Sequence, residues 1–173
     1  MDKLYAPWRD QYVMSHIKKD YAGACVFCIV FEDTKSNEQR YVLYQDADVA
    51  ILLNLYPYNG GHLLVIPMQH VENLHDLPEV VLGKLMKASS VSMKIIKQAL
   101  ACEAINFGAN IGRAAGAGIP EHVHLHIVPR FAGDTGFFTT IGDAKQVSVD
   151  LHRIYQTLLP HFKNIMDCSL SQA

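Results

Sequence analysis

The sequence predicts an α+β fold, an antiparallel β-sheet packed with one long helix and a C-terminal helix. Three observations carry this. Strand-like runs rich in β-branched and aromatic residues come first, a long stretch of helical spacing follows, and two further strand-like runs precede a last amphipathic stretch. That order favours an antiparallel sheet covered on one face. With 173 residues, 50% of them hydrophobic, and a net charge of -2, the chain fits one domain spanning 1–173. Residues 1–20 read as an N-terminal arm and 163–173 as a tail.

Residues 39–53 read as a hairpin, "RYVLY" and "VAILLNL" joined by "QDAD". "YPYNGG" then breaks the pattern as a turn, and "HLLVIP" is a short apolar strand closed by Pro67, which lacks a ladder donor. Over 77–103, Leu77, Val81, Leu85, Ala88, Ile96 and Ala99 recur at helical spacing, with Lys84, Lys87, Lys94 and Lys97 tending to the other side. Asp76 stands where it can cap this helix, and Pro78 is tolerated in its first turn. "AINFGANIG" reads as a strand, "RAAGAGIPE" as a glycine-rich loop and "HVHLHIVPR" as a strand stopped by Pro129. A second amphipathic helix over 149–161 places Leu151, Ile154, Tyr155, Leu158 and Phe162 on one side.

No run approaches the roughly 18 apolar residues of a spanning helix, and the N-terminus mixes charge with aromatics where a secretory signal has an apolar core. The expectation is a cytoplasmic protein without a membrane partner. The balanced charge lacks the basic excess of a protein that binds nucleic-acid polymers, yet leaves open a single nucleotide held in a local pocket. Of the four cysteines, Cys25 and Cys28 form a close pair, "CVFC". In a reducing compartment such a pair is more often a metal or redox element than a structural disulfide.

Alternation along a strand puts His122, His124 and His126 on one face and Val123, Leu125 and Ile127 on the other. The apolar face can pack on the long helix while the histidine face lines a cleft. The histidines could be polar residues on a solvated face, or His124 and His126 could hold a catalytic metal. They could also serve nucleophilic catalysis at phosphorus. A neutral imidazole nitrogen carries a free lone pair at pH 7 and needs no base, provided its other nitrogen donates to a partner that fixes the tautomer. A neighbouring imidazole can then assist the departing oxygen.

"HVHLHIVPR" closely resembles the histidine triad (HIT) family, whose motif is His-φ-His-φ-His-φ-φ with φ apolar. "LYAPWRDQYV", "CVFC", "ILLNLYPYNGGHLLVIPMQHVENLHDL", "NFGANIGRAAGAG" and "VPRFAGDTGFF" are similar to its bacterial diadenosine tetraphosphate phosphorylase or hydrolase branch. The resemblance implies a HIT-like fold and a homodimer. It implies that His124 is the nucleophile forming a nucleotidyl-histidine, that His126 is the donor near the scissile bridging oxygen, and that His122 supports the site. The galactose-1-phosphate uridylyltransferase branch has glutamine at the third place, so His126 argues against that branch.

By the same resemblance Asn54 contacts ribose hydroxyls and His62 backs the site. Asn110, Gly116, Ala117 and Gly118 match the phosphate-contacting segment. A glycine-rich loop can turn consecutive amides into one anion-binding concavity. Gly118 and Ile119 stand where the phosphoramidase and diadenosine triphosphate hydrolase branches carry Gln and a hydroxyl residue, so those side-chain contacts to phosphate are not carried over. Some bacterial members bind structural zinc, and the matching positions are Cys25, Cys28, His70 and His122, a set suited to a tetrahedral ion. Such an ion would clamp the N-terminal segment to the sheet without touching the chemistry. No organic cofactor is expected.

The expected activity is a nucleotidyl hydrolase or transferase acting on dinucleoside polyphosphates such as diadenosine tetraphosphate. The alternatives are a nucleoside phosphoramidase and a nucleotide-binding module with little turnover.

Overall fold

The structure, a computed structural model, describes residues 24–142, 150–163 and 165. The expected arm over 1–20, the expected start of the last helix at Val149 and most of the tail over 163–173 lie outside the described residues. In chain order the elements are α1 (Val26–Glu32), β1 (Val42–Gln45), β2 (Val49–Leu53), β3 (Leu63–Pro67), α2 (Glu79–Leu100), β4 (Ala104–Gly108), β5 (Leu125–Arg130), α3 (Phe137–Ile141) and α4 (Leu151–Phe162). The strands form one antiparallel sheet in the order β1-β2-β3-β5-β4. The α+β architecture with a long helix and a C-terminal helix is as the sequence predicts.

β1 and β2 are the predicted hairpin. Its turn closes on Asp46, whose Oδ1 accepts the Asp48 and Val49 amide hydrogens at 2.8 Å each, the self-bonding that makes Asp a turn residue. β2 and β3 pair in register from Val49↔Pro67 to Leu53↔Leu63. Alternation then sorts their residues between two cores. Val49, Ile51, Leu53, Leu63, Val65, Leu125 and Ile127 pack with Leu85, Ala88 and Ile96 of α2 and with Tyr155 and Leu158 of α4. Val42, Leu52, Leu64 and Ile66 pack with Cys25 and Phe27 at the start of α1. The sheet is therefore covered on both faces, not one. The missed cover is α1, seven residues long and too short to carry a helical period.

On α2 the buried face is Leu85, Ala88, Ser89, Ser92 and Ile96. The two serines let the helix approach the sheet closely, and each hydroxyl donates to the carbonyl four residues back, Ser89 to Leu85 at 2.8 Å and Ser92 to Ala88 at 2.7 Å. Asp76 does not cap this helix: it ends a separate 3₁₀ turn, Leu74–Asp76, and Pro78 occupies the cap position with no side-chain bond. The helix stops at Leu100, where Ala101 turns left-handed at φ 51°, and the Glu103 amide already bonds the Arg130 carbonyl at 2.9 Å. The predicted extension to 103 is thus lost to strand pairing.

β5 does not stop at Pro129, which pairs with Ile105 of β4. Its pairing with β3 ends at Leu63↔Ile127, and the Pro129 carbonyl faces Asn59 beyond that point. The missing N–H therefore falls where the β3 ladder is already over. α4 is described from Leu151, with Asp150 at its N-cap, whose Oδ1 accepts the Arg153 amide hydrogen at 3.0 Å, and Tyr155 donates its hydroxyl to the Val42 carbonyl at 3.1 Å. Among the described residues no helix is long and apolar enough to cross a membrane.

Candidate active site and metal centre

β5 begins at Leu125, so only His126 lies on the strand proper. His122 and His124 lie on its extended approach, held to the chain after β3 by the Val123 amide, which donates to Val71 at 2.8 Å. Within β5, Leu125 and Ile127 enter the core under α2 while His126 takes the opposite face, the alternation the sequence predicts. The ring centroids of His124 and His126 are 5.0 Å apart, and those of His126 and His62 are 5.1 Å apart. His62 comes from the entry to β3, immediately after Gly61, and is 1% exposed.

Partners that can only donate or only accept fix the protons on these rings. The Tyr58 amide donates to His62 Nδ1 at 3.1 Å, so neutral His62 carries its proton on Nε2. That proton is donated to His126 Nδ1, 2.9 Å away. His126 must then carry its own proton on Nε2, a buried atom with no hydrogen-bond partner. His124 is set the other way, because its Nδ1–H donates to the His122 carbonyl at 2.8 Å, which leaves the Nε2 lone pair free. The site therefore presents a free lone pair on one ring and a free N–H on the next.

Electrostatics keeps the rings neutral. Burial, with the charges of His126 and His124 next, pushes His62 down from 6.5 to about 3. Burial and the His124 ring push His126 down to about 4. His122 and His124 are also lowered, chiefly by burial. Desolvation favours the uncharged imidazole in each case.

Residues that the sequence did not flag complete this arrangement. Tyr58, 39% exposed, stacks on His62 and His126 with centroids 4.9 and 5.9 Å away and so roofs the pair. Asn59 Nδ2 donates to the Pro129 carbonyl at 2.9 Å and to Asp134 at 2.8 Å. Asp134 in turn grips Arg130 at 2.6 and 2.7 Å. This bridge ties the turn carrying Tyr58 and His62 to the end of β5. Phe27 sets its ring against His122 and His124, with centroids 5.5 and 5.0 Å away. Phe27 and Tyr58 read in sequence as ordinary apolar or turn residues, and only the fold gives them a role.

Asn54 stays beside His62. Its Oδ1 accepts the Tyr56 amide hydrogen at 2.9 Å and its Nδ2 lies 3.3 Å from His62 Nδ1, so the side chain shapes the turn as well as facing the site. Asn110 is half-buried on the connection from β4 to β5. Along that connection Gly116 is needed for its backbone, at φ 85° after the 3₁₀ turn Arg113–Ala115. Gly118 has no such φ, and a Cβ there would meet open space. Ala117 is half-buried between them.

The second cluster is Cys25, Cys28, His70 and His122, whose ligand atoms all lie within 4.8 Å of one another. His122 Nε2–H donates to the Pro67 carbonyl at 2.8 Å, which leaves its Nδ1 lone pair facing Cys25 Sγ at 3.4 Å and Cys28 Sγ at 3.7 Å. Cys28 Sγ lies 3.4 Å from His70 Nδ1. Tetrahedral zinc, with bonds of about 2.3 Å to sulfur and about 2.0 Å to nitrogen, spaces such ligand atoms by about 3.5 Å. Two thiols and two imidazole nitrogens converging at this spacing fit a metal ion, with Pro67 holding one ligand from behind. Left to itself the Cys25 thiol is pushed up by burial to about 11, and a bound cation reverses that preference by stabilising thiolate.

A five-stranded antiparallel sheet that delivers buried imidazoles of opposite tautomer beside a Cys2His2 cluster defines an α+β protein built around a histidine site. The chain belongs to the HIT family: the HIT domain model matches residues 35–133. The AP-4-A phosphorylase of Mycobacterium tuberculosis is 34% identical over 163 residues, covering 91% of this chain and 84% of that protein. An uncharacterized HIT-like protein of Methanocaldococcus jannaschii is 33% identical, over 73% of this chain and 93% of its own.

Among solved structures, a hypothetical histidine triad nucleotide-binding protein from Sulfolobus tokodaii matches with a TM-score of 0.63 at 28% identity, covering 84% of this chain and 98% of that one. A Zn-bound histidine triad family protein from Mycobacterium smegmatis matches with a TM-score of 0.62 at 27% identity, covering 82% and 95%. The family and the phosphorylase relative together support an enzyme that acts on nucleotides.

Proposed function

We propose that the chain is a nucleotidyl hydrolase or transferase acting on dinucleoside polyphosphates, diadenosine tetraphosphate first among them, through a nucleotidyl-histidine on His124. The observation that carries this is the pair of opposite tautomers, a free lone pair on His124 Nε2 beside an unpartnered N–H on His126. The Mycobacterium tuberculosis relative, named for AP-4-A, supports the substrate class.

In the first step His124 Nε2 attacks the α-phosphorus, a P–N bond forms and the bond to the bridging oxygen breaks. The His122 carbonyl stabilises the positive charge that develops on the His124 ring. His126 Nε2–H donates a hydrogen bond to the departing oxygen. The polyphosphate leaves as an anion, so no proton need follow it. In the second step an oxygen of water, its proton passing to bulk solvent, or of inorganic phosphate attacks phosphorus, the P–N electrons return to His124 Nε2, and AMP or ADP is released, ATP having left in the first step. Asn54 is assigned to the ribose, and Asn110 with Gly116, Ala117 and Gly118 to the phosphates.

Rapid mixing with substrate labelled at the α-phosphorus tests this. Acid-labile label should appear transiently on the wild type and never on His124→Ala, and its absence from both would overturn the reading. Product analysis with and without phosphate separates hydrolysis from phosphorolysis, and adenosine phosphoramidate in the same assay tests the phosphoramidase alternative. Tight AMP binding without any labelled intermediate would favour a binding module.

The Cys2His2 set is assigned to structural zinc, which when bound supplies a cross-link between α1, the chain after β3 and the approach to β5. The converging ligand atoms and the Zn-bound neighbour support this. The protein is further proposed to act in the cytoplasm as a homodimer. Exposure along β4, which lies at the sheet edge, supports that assembly.

A further inference from the structure

The metal centre and the nucleophile share two parts. One is His122, whose Nδ1 faces the cysteines while its backbone carbonyl accepts the His124 Nδ1–H at 2.8 Å. The other is Phe27, which stands between the two cysteines in sequence and lays its ring against both His122 and His124 at 5.5 and 5.0 Å. We propose that Phe27 is a positioning residue for His124, and that filling the Cys25, Cys28, His70 and His122 set, acting through Phe27 and through the already bonded His122 carbonyl, holds the nucleophile in its productive tautomer. This rests on the zinc assignment and goes beyond it, because a simple clamp would leave the nucleophile indifferent to the ion.

The reasoning is mechanical. α1 has seven residues, no side-chain cap at Cys25 and no acidic residue in its first turn, and a helix this short does not persist on its own. Its first turn is seated by the apolar contacts of Cys25 and Phe27 with Val42, Leu52, Leu64 and Ile66 and by whatever fixes the two thiols, while its later residues have anchors of their own, Val30 and Phe31 against the same cluster and the Arg40 guanidinium on the Val30 carbonyl. The His122 ring is held from one side by the Pro67 carbonyl. A ligand bond at Nδ1 pins the other side and so fixes the direction of the whole residue, carbonyl included.

With the set empty, the thiols release the start of α1, and Phe27 no longer confines His124 against that carbonyl. A His124 ring free to move its proton to Nε2 loses the lone pair that attacks phosphorus.

The test uses 15N-histidine-labelled full-length protein at one fixed pH, with zinc content measured by ICP on the same samples and folding checked by far-UV circular dichroism. In loaded protein the His124 ring nitrogens should give the signature of a single Nδ1–H tautomer. After chelation they should move toward an average of both tautomers, and restored zinc should bring them back. Signals of His124 that stay fixed while those of His122 move would overturn the proposal.

Protein that carries no zinc would overturn it through the metal assignment, without touching the nucleotide chemistry. Because chelated protein can unfold, Phe27→Leu in the loaded state gives a second arm. It keeps all four ligand residues and an apolar side chain but removes the ring edge, and ICP on the variant checks that zinc is retained. kcat should fall about tenfold with KM within about twofold, the size of effect that second-shell losses produce, and the His124 signals should shift. A variant with wild-type kcat and unmoved His124 signals would overturn the proposal just as plainly.

Discussion

His124 and His126 stand two residues apart, yet their neighbours give them opposite protons, and a single substitution should reveal which ring makes the bond. His124→Ala removes the ring whose Nε2 lone pair is set free by the His122 carbonyl, so kcat should drop by roughly 10³-fold or more while the fold survives. Near-normal turnover would refute the assignment. Burial also makes a pH prediction. His62 and His126 bind protons near 3 and 4 in the folded state, against 6.5 ordinarily. Between those values the unfolded chain takes up protons that the folded chain refuses, so stability is full above about 6.5 and declines as pH falls toward 3 to 4. The urea midpoint should be lower at pH 5 than at pH 7, a window that lies above most carboxylate titration. An unchanged midpoint would mean the rings are not held neutral. The residue types of the site were legible in the sequence because alternation and the family motif name them. Their tautomers were not, since these depend on the Tyr58 amide and on the carbonyls of Pro67 and His122, contacts that only the folded chain makes.

Helices with a full period were read well and short helices were not. α2 and α4 declare themselves through buried positions three and four apart, whereas α1, with seven residues, has no period to read and is held by packing. The same limit misplaced the start of α2, because Asp76 looks like a cap until the chain closes a 3₁₀ turn before Pro78. The turn into β3 carries a sharper constraint. Gly61 sits at φ 84°, and a Cβ there would collide with Leu100 Cδ1 and come within 3.3 Å of Pro129. Gly61→Ala therefore meets both backbone strain and crowding, and should cost about 2 kcal/mol in urea denaturation. Because His62 follows directly and orients His126, activity should fall by more than stability alone explains, which a kcat measurement well below the melting temperature can separate. A variant as stable and active as wild type would show that the α2 end and β5 yield easily, contrary to their burial.

At the scale of the whole molecule, the sheet is a partition. One face carries the larger core under α2 and α4, and the other carries α1, both cysteines and the histidines. The sequence predicted the first face from its amphipathic helices and left the second as an open cleft, because nothing in "CVFC" advertises a helix. Among the described residues this partition leaves one edge unprotected. β4 pairs only with β5 in the sheet, four of its five residues are exposed, and Phe107 is 40% exposed on it. An uncovered strand edge bearing an exposed aromatic is a site for pairing with another chain. A second copy of this chain is the partner the family resemblance implies. Sedimentation velocity should then give the mass of two chains for the wild type. Phe107→Lys places a charge on the edge of the kind that natural edge strands use to block pairing, and should shift the species to one chain without loss of far-UV signal. A wild type that sediments as one chain at micromolar concentration would end the homodimer proposal, and a Phe107→Lys dimer as tight as the wild type would move the interface away from β4.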